Sequence, residues 1–183
     1  MTEGRPNSEV PDEAAERARL LYWRELVQLK VDCEYVQRYR DLLARRMSQV
    51  AVARAIVSVG ALGSWIAGLG YPQLWGGVIV ASQVAEAIQN VIPLAARERS
   101  LRAFSVTLDA LLIDALLEWE DIQLGSFDAR EITRRWHTLM KLRHEAETKN
   151  LTIGLPVNRR IFRLAEQAAA AYFDTNYGTR PNP

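Results

Sequence analysis

The stretch from Ala55 to Ala85 contains no Asp, Glu, Lys or Arg, while the chain on either side is dense with them. It is interrupted at Gly68-Leu69-Gly70-Tyr71-Pro72-Gln73, and an apolar run on each side of a Gly/Pro turn reads as a helical hairpin. The first arm runs from Ala55 to about Leu69 and the second from Leu74 to about Leu94, with Glu86 as its single charge. A bilayer core takes roughly 17–25 apolar residues at ~1.5 Å each. A helix on the surface of a water-soluble protein keeps a charged face, and the first arm has none. The stretch is therefore read as two short membrane-spanning helices. The alternative is a soluble helical scaffold or partner-binding bundle with the hairpin buried inside it.

The flanking charges set the orientation. Arg38, Arg40, Arg45, Arg46 and Arg54 precede the first arm, and Arg97, Arg99 and Arg102 follow the second. The positive-inside rule then places both termini in the cytoplasm and the tip, with Tyr71 and Trp75, outside. Met1 to Asp12 is polar and has no apolar core, so insertion is expected to use the internal hairpin rather than a secretory signal. The single cysteine, Cys33, suits a reducing compartment. A net charge of +1 creates no global field toward duplex nucleic acid.

From Asp12 to Val59 there is neither Gly nor Pro. Apolar residues fall at Tyr22, Leu26, Leu29, Cys33, Val36, Leu43, Met47 and Val50, a 4,3 spacing broken at Arg40. That is the seam of a coiled coil or a long bundle helix. After Pro93, Leu101, Phe104, Leu108, Leu111, Ala115 and Ile122 continue the spacing, with Glu118 in one slot. The two helices are expected to pack antiparallel, with Gly125-Ser126 ending the second. Asp128 and Glu131 form a capping box for a third helix to about Asn150, with apolar Ile132, Trp136, Leu139 and Ala146. Asn158 caps a fourth to about Asp174, with Ile161, Leu164, Ala168 and Tyr172 inward. The expected layout is all-α. It has a tail (1–11), a long cytoplasmic helix (12–53), the transmembrane hairpin (54–95), a second long helix (96–124), a C-terminal helical pair (128–178) and a short tail (179–183).

Three groups of residues bear on function. Gln83, Glu86 and Asn90 share one face of the second arm. A carboxylate at membrane depth faces water or a partner. This face either lines an aqueous pore, repeated as a polar ring in an oligomer, or it holds a structural Arg54–Glu86 pair at the base of the hairpin. Gly60, Gly63, Ser64, Ala67 and Gly68 put small residues four apart, which lets helices approach closely in lipid. Arg134 and Arg135, with Lys141 and Arg143, lie on the third helix, and Arg159, Arg160 and Arg163 crowd the start of the fourth. Together they suit a phosphate-bearing ligand, an anionic lipid surface, or a solvated face. His137 and His144, seven apart, lack the four-residue spacing of a helical metal pair. No phosphate loop, Ser/His/Asp set or Cys/His nucleophile pair is present, so neither an enzyme, a metal nor a cofactor is expected.

In layout the chain resembles the SLATT domain, the SMODS and SLOG-associating two-transmembrane effector family of bacteria. The likeness covers roughly residues 15 to 178. It rests on the long N-terminal helix, the Gly-rich hairpin, and a charged helix from Arg97-Glu98-Arg99 through Ala103, Phe104 and Leu108. The closing stretch, Leu151 to Gly178 with Pro156, Ala165 and Tyr172, adds to it. The resemblance implies a homo-oligomeric, pore-forming effector of anti-phage abortive infection in the inner membrane. It would be controlled by a nucleotide second messenger or by a partner such as a nucleotidyltransferase. No catalytic residues carry over.

Overall fold

The computed structural model describes residues 9–58, 94–151 and 154–178. These form four helices, α1 (Glu9–Ser58), α2 (Leu94–Gln123), α3 (Ala129–Asn150) and α4 (Arg159–Tyr177), with no strand among the described residues. The fold is all-α over that range. No described helix is long and apolar enough to cross a membrane. Beyond Ser58, where α1 closes, the two arms of the hairpin lie outside the described residues, Leu94 excepted. The chain divides into two compact units, Met1–Arg38 with Leu101–Pro183, and Tyr39–Ser100.

In the first unit the helices alternate in direction. Tyr22 on α1 meets Ala115 and Glu118 on α2, while Cys33, further along α1, meets Asp109, earlier on α2. The two run antiparallel, as the paired seams predict. Tyr22, Leu26, Leu29 and Val36 are fully buried, with Leu101, Leu108 and Ile122 among those facing inward from α2. Arg143 of α3 reaches Glu25 and Asp32 of α1. Phe162 of α4 packs on Tyr35, and Phe173 and Tyr177 pack on Trp23, so α4 runs against α1. The result is an up-down-up-down helical arrangement.

Local signals set the helix ends. The N–H of Ser126 donates to the carbonyl of Asp121 and that of Gly125 to Ile122, with Gly125 at φ 75°. This is a Schellman stop, and only glycine takes that φ without a Cβ penalty. Asp128 accepts from the N–H of Glu131 at 2.8 Å. Glu131 does not close the reciprocal half of a capping box; its carboxylate pairs with Arg134 and Arg135 instead. Asn158 accepts from the N–H groups of Arg160 and Ile161.

Three expectations are corrected. First, the described part of α1 already includes Glu9, Val10 and Pro11, which the expected layout left in the tail. Second, α2 buries Leu112 and Trp119 rather than Leu111 and Glu118, which are only half-buried. Trp119 stacks against Tyr22 and Trp23, and that aromatic contact turns the helix. Third, α4 buries Ile161, Ala165, Ala169 and Phe173, one residue round from the expected Leu164–Ala168–Tyr172 stripe. The alanines allow close approach while Phe173 joins the Trp23 cluster, and Leu164 is left exposed.

The second unit contains α1 from Tyr39 onward and the start of α2. Tyr39 and Leu43 are buried there, and the Arg97 guanidinium lies 5.9 Å from the Tyr39 ring centroid, a cation–π distance.

Candidate functional site

Polar side chains inside a bundle need partners, and here they join the helices in two places. At the first, the Tyr22 hydroxyl donates to Glu118 at 2.9 Å with the Ala115 carbonyl 3.1 Å away. Glu118 also accepts from Arg135 at 2.9 Å, and Arg135 donates to Glu131 and lies 4.0 Å over the Phe127 ring. Burial and then the Glu118 carboxylate push the Tyr22 phenol well above its ordinary range. At the second, Arg143 donates to Glu25 at 2.7 Å and sits 3.7 Å from Asp32, which also accepts from Gln28. Burial raises the Asp32 carboxyl despite Arg143. Arg135 and Arg143 are thus occupied as struts between helices.

The connection into α4 is pinned by one hydroxyl. Tyr35 donates to the Pro156 carbonyl and accepts from the N–H of Asn158 at 3.0 Å. This fixes where α4 begins, and so where Arg159, Arg160 and Arg163 stand, all three exposed. Most of the backbone there is already engaged, since Asn158 takes the N–H groups of Arg160 and Ile161 through its side chain and that of Phe162 through its carbonyl. An anion at this helix start would be held by guanidinium groups rather than by backbone amides.

Arg134 and Arg135 are not brought together with the α4 arginines, whereas Arg143, beside Asp32, stands about one turn of α1 from the Tyr35 level. Arg135 stands level with Tyr22 through Glu118, and the start of α4 stands level with Tyr35. Thirteen residues of α1 separate these levels, about 20 Å at ~1.5 Å per residue. A single small phosphate ligand spanning Arg135 and the α4 arginines does not fit that separation. Arg134 is exposed and paired with Glu131, and Lys141 lies 3.7 Å from Glu145. His137 lies against Trp136, and His144 is exposed.

The remaining predicted site residues lie mainly outside the described range. Gln83, Glu86 and Asn90 do so, as do Gly60, Gly63, Ser64, Ala67 and Gly68; Arg54 lies in α1. Cys33 is buried, and burial, reinforced by Asp109, pushes its thiol up to about 12, far from the range of a reactive thiolate. Sequence reasoning missed Tyr35 as the pin of the connector and Glu118 as the hub between three helices. The only sequence signal for Glu118 was a carboxylate sitting on an apolar seam.

No family model, curated protein or solved structure matches the chain.

Proposed function

We propose that the chain is a homo-oligomeric, pore-forming effector of a bacterial anti-phage, abortive-infection system. It would be held in the inner membrane by residues 54–95, with both termini cytoplasmic. One observation carries this reading. A single uninterrupted helix, Glu9–Ser58, leads from the buried side chains around Tyr22 to Arg54, at the edge of a stretch with no charge. A helix without Gly or Pro in that span is a stiff connection, suited to passing a cytoplasmic event to a membrane segment. The SLATT-like layout supports the same reading.

One hairpin cannot enclose a channel, so the mechanism needs several copies, and closed symmetry is the usual solution. Gln83, Glu86 and Asn90 would line the conducting path, with the small residues of the first arm packing helices together. The trigger would be a nucleotide signal or a partner protein acting on the cytoplasmic helices. The Arg159–Arg160–Arg163 cluster is the better anion site, because Arg135 and Arg143 already serve as struts. The activity proposed is conduction, with no catalysis, metal or cofactor.

The test is ion flux through liposomes containing the full chain. Glu86→Ala and Gln83→Leu are expected to change flux or toxicity while assembly persists. If both conduct and kill like the parent, that face does not line a pore.

A further inference from the structure

α2 is apolar on two opposite sides. Its inner side is buried against α1, yet Val106, Ile113 and Leu117 on its outer side are 64%, 60% and 59% exposed, and Leu124, just past its end, is 81% exposed. A contiguous exposed apolar stripe of this kind commonly marks a contact surface. Two exposed carboxylates, Asp114 and Asp121, flank this outer stripe seven residues apart. On α1 the side turned away from Tyr22 and Leu26 carries Leu20 and Leu21, 44% and 37% exposed. It also carries exposed Arg17 and Arg24, again seven apart. One outer face sets carboxylates beside its apolar stripe; the other sets Arg17 and Arg24 beside Leu20 and Leu21, with exposed Glu13 and Glu16 toward its N-terminal end. They point away from each other across the α1–α2 pair.

We infer that these two faces are the two halves of one repeated contact, with α2 of each copy docking on α1 of the next. The register follows from the fold. Within one chain, Tyr22 stands opposite Ala115 and Glu118. Rotation about an axis along the helices leaves height unchanged, so a neighbour's α1 meets α2 in the same register. Leu20 and Leu21 then face Leu117, Arg24 meets Asp114, and Arg17 meets Asp121. Arg17 holds only an exposed 3.5 Å pair with Glu13, which is weak enough to exchange. Packing α2 on α2 in a parallel ring would instead set Glu120 against Asp121. The contact is head-to-tail, and such contacts build rings when the rotation closes. The ring deepens the pore reading and rests on it; the pairing of faces rests on the helices alone.

The test uses the full chain in membranes, in a Cys33→Ala background. Leu20→Cys combined with Leu117→Cys should give, on oxidation, a ladder of covalent species beyond the dimer, and neither single variant should. Asp114→Arg should reduce the ladder about fivefold, the scale of one interfacial ion pair, and Arg24→Asp added to it should restore it. All four positions are exposed, and helical circular dichroism equal to the parent's separates loss of contact from loss of fold. A dimer from Leu117→Cys alone would show α2 pairing with itself and overturn the proposal. So would no ladder from a chain that is oligomeric by mass, or a monomeric parent. A ladder from chains that wash off the bilayer keeps the contact and removes the pore; flux without a ladder does the reverse.

Discussion

Along α1, Tyr22, Leu26, Leu29 and Cys33 are at most 3% exposed, whereas Val50 and Val52 on the same helix are 36% and 56% exposed. The apolar spacing that begins at Tyr22 runs on through Leu43 and Met47 to Val50. Spacing decides which residues share a face, but burial needs something opposite. In the first unit α1 has α2, α3 and α4 around it. Past Leu43, which is buried, the outward residues Arg45, Arg46, Ser48 and Gln49 are exposed and polar. The seam continues where the burial does not, and the chain then enters its uncharged stretch.

The sharpest way to break that contrast is to remove matched side chains from each half. Leu29→Ala opens a cavity at a fully buried site and should cost about 2–5 kcal/mol in denaturant unfolding. Val52→Ala should stay within ~0.5 kcal/mol when the chain is unfolded from detergent. Equal losses would mean that both halves are packed alike.

Tyr22→Phe comes next. It leaves Glu118 without its Tyr22 donor and should cost about 1–3 kcal/mol, visible as a lower unfolding midpoint. Because Tyr22 is raised by burial and Glu118, the unfolded chain releases this proton first as pH climbs. Stability is therefore intact below a tyrosine's ordinary value of about 10 and falls above it. Tyr22→Phe should flatten that alkaline fall, and an unchanged slope would remove the Tyr22–Glu118 bond from the account.

The smallest effect on folding is expected from Arg159, Arg160 and Arg163. All three are exposed, so Arg160→Glu with Arg163→Glu should move stability by under ~0.5 kcal/mol. The same pair should abolish any response of flux to a nucleotide signal. A full response in that variant would discard the α4 site.

Much of the bundle was legible because its signals are local. Gly125, Asp128 and Asn158 stop or cap helices through their own neighbours, and the Tyr22-to-Val36 seam is a period that any long helix shows. The errors came where two choices scored alike. On α2 both faces are apolar, so Leu111 and Leu112 fit the template equally, and only the Trp119–Tyr22–Trp23 contacts decide. On α4 the larger Leu164 drew the stripe away from Ala165, which is fully buried. The arginines failed for a different reason. Arg135 and Arg143 look free in sequence, because Glu118, Glu25 and Asp32 reach them only through the tertiary fold. Gln83, Glu86 and Asn90, proposed to line a pore, lie outside the described residues.

The central claim is that lipid surrounds residues 55–85, and alkaline carbonate washing of membranes from cells expressing the full chain tests it most directly. The account predicts that the protein stays with the pelleted bilayer and is released only by detergent. Recovery in the aqueous supernatant as a monodisperse species would contradict it.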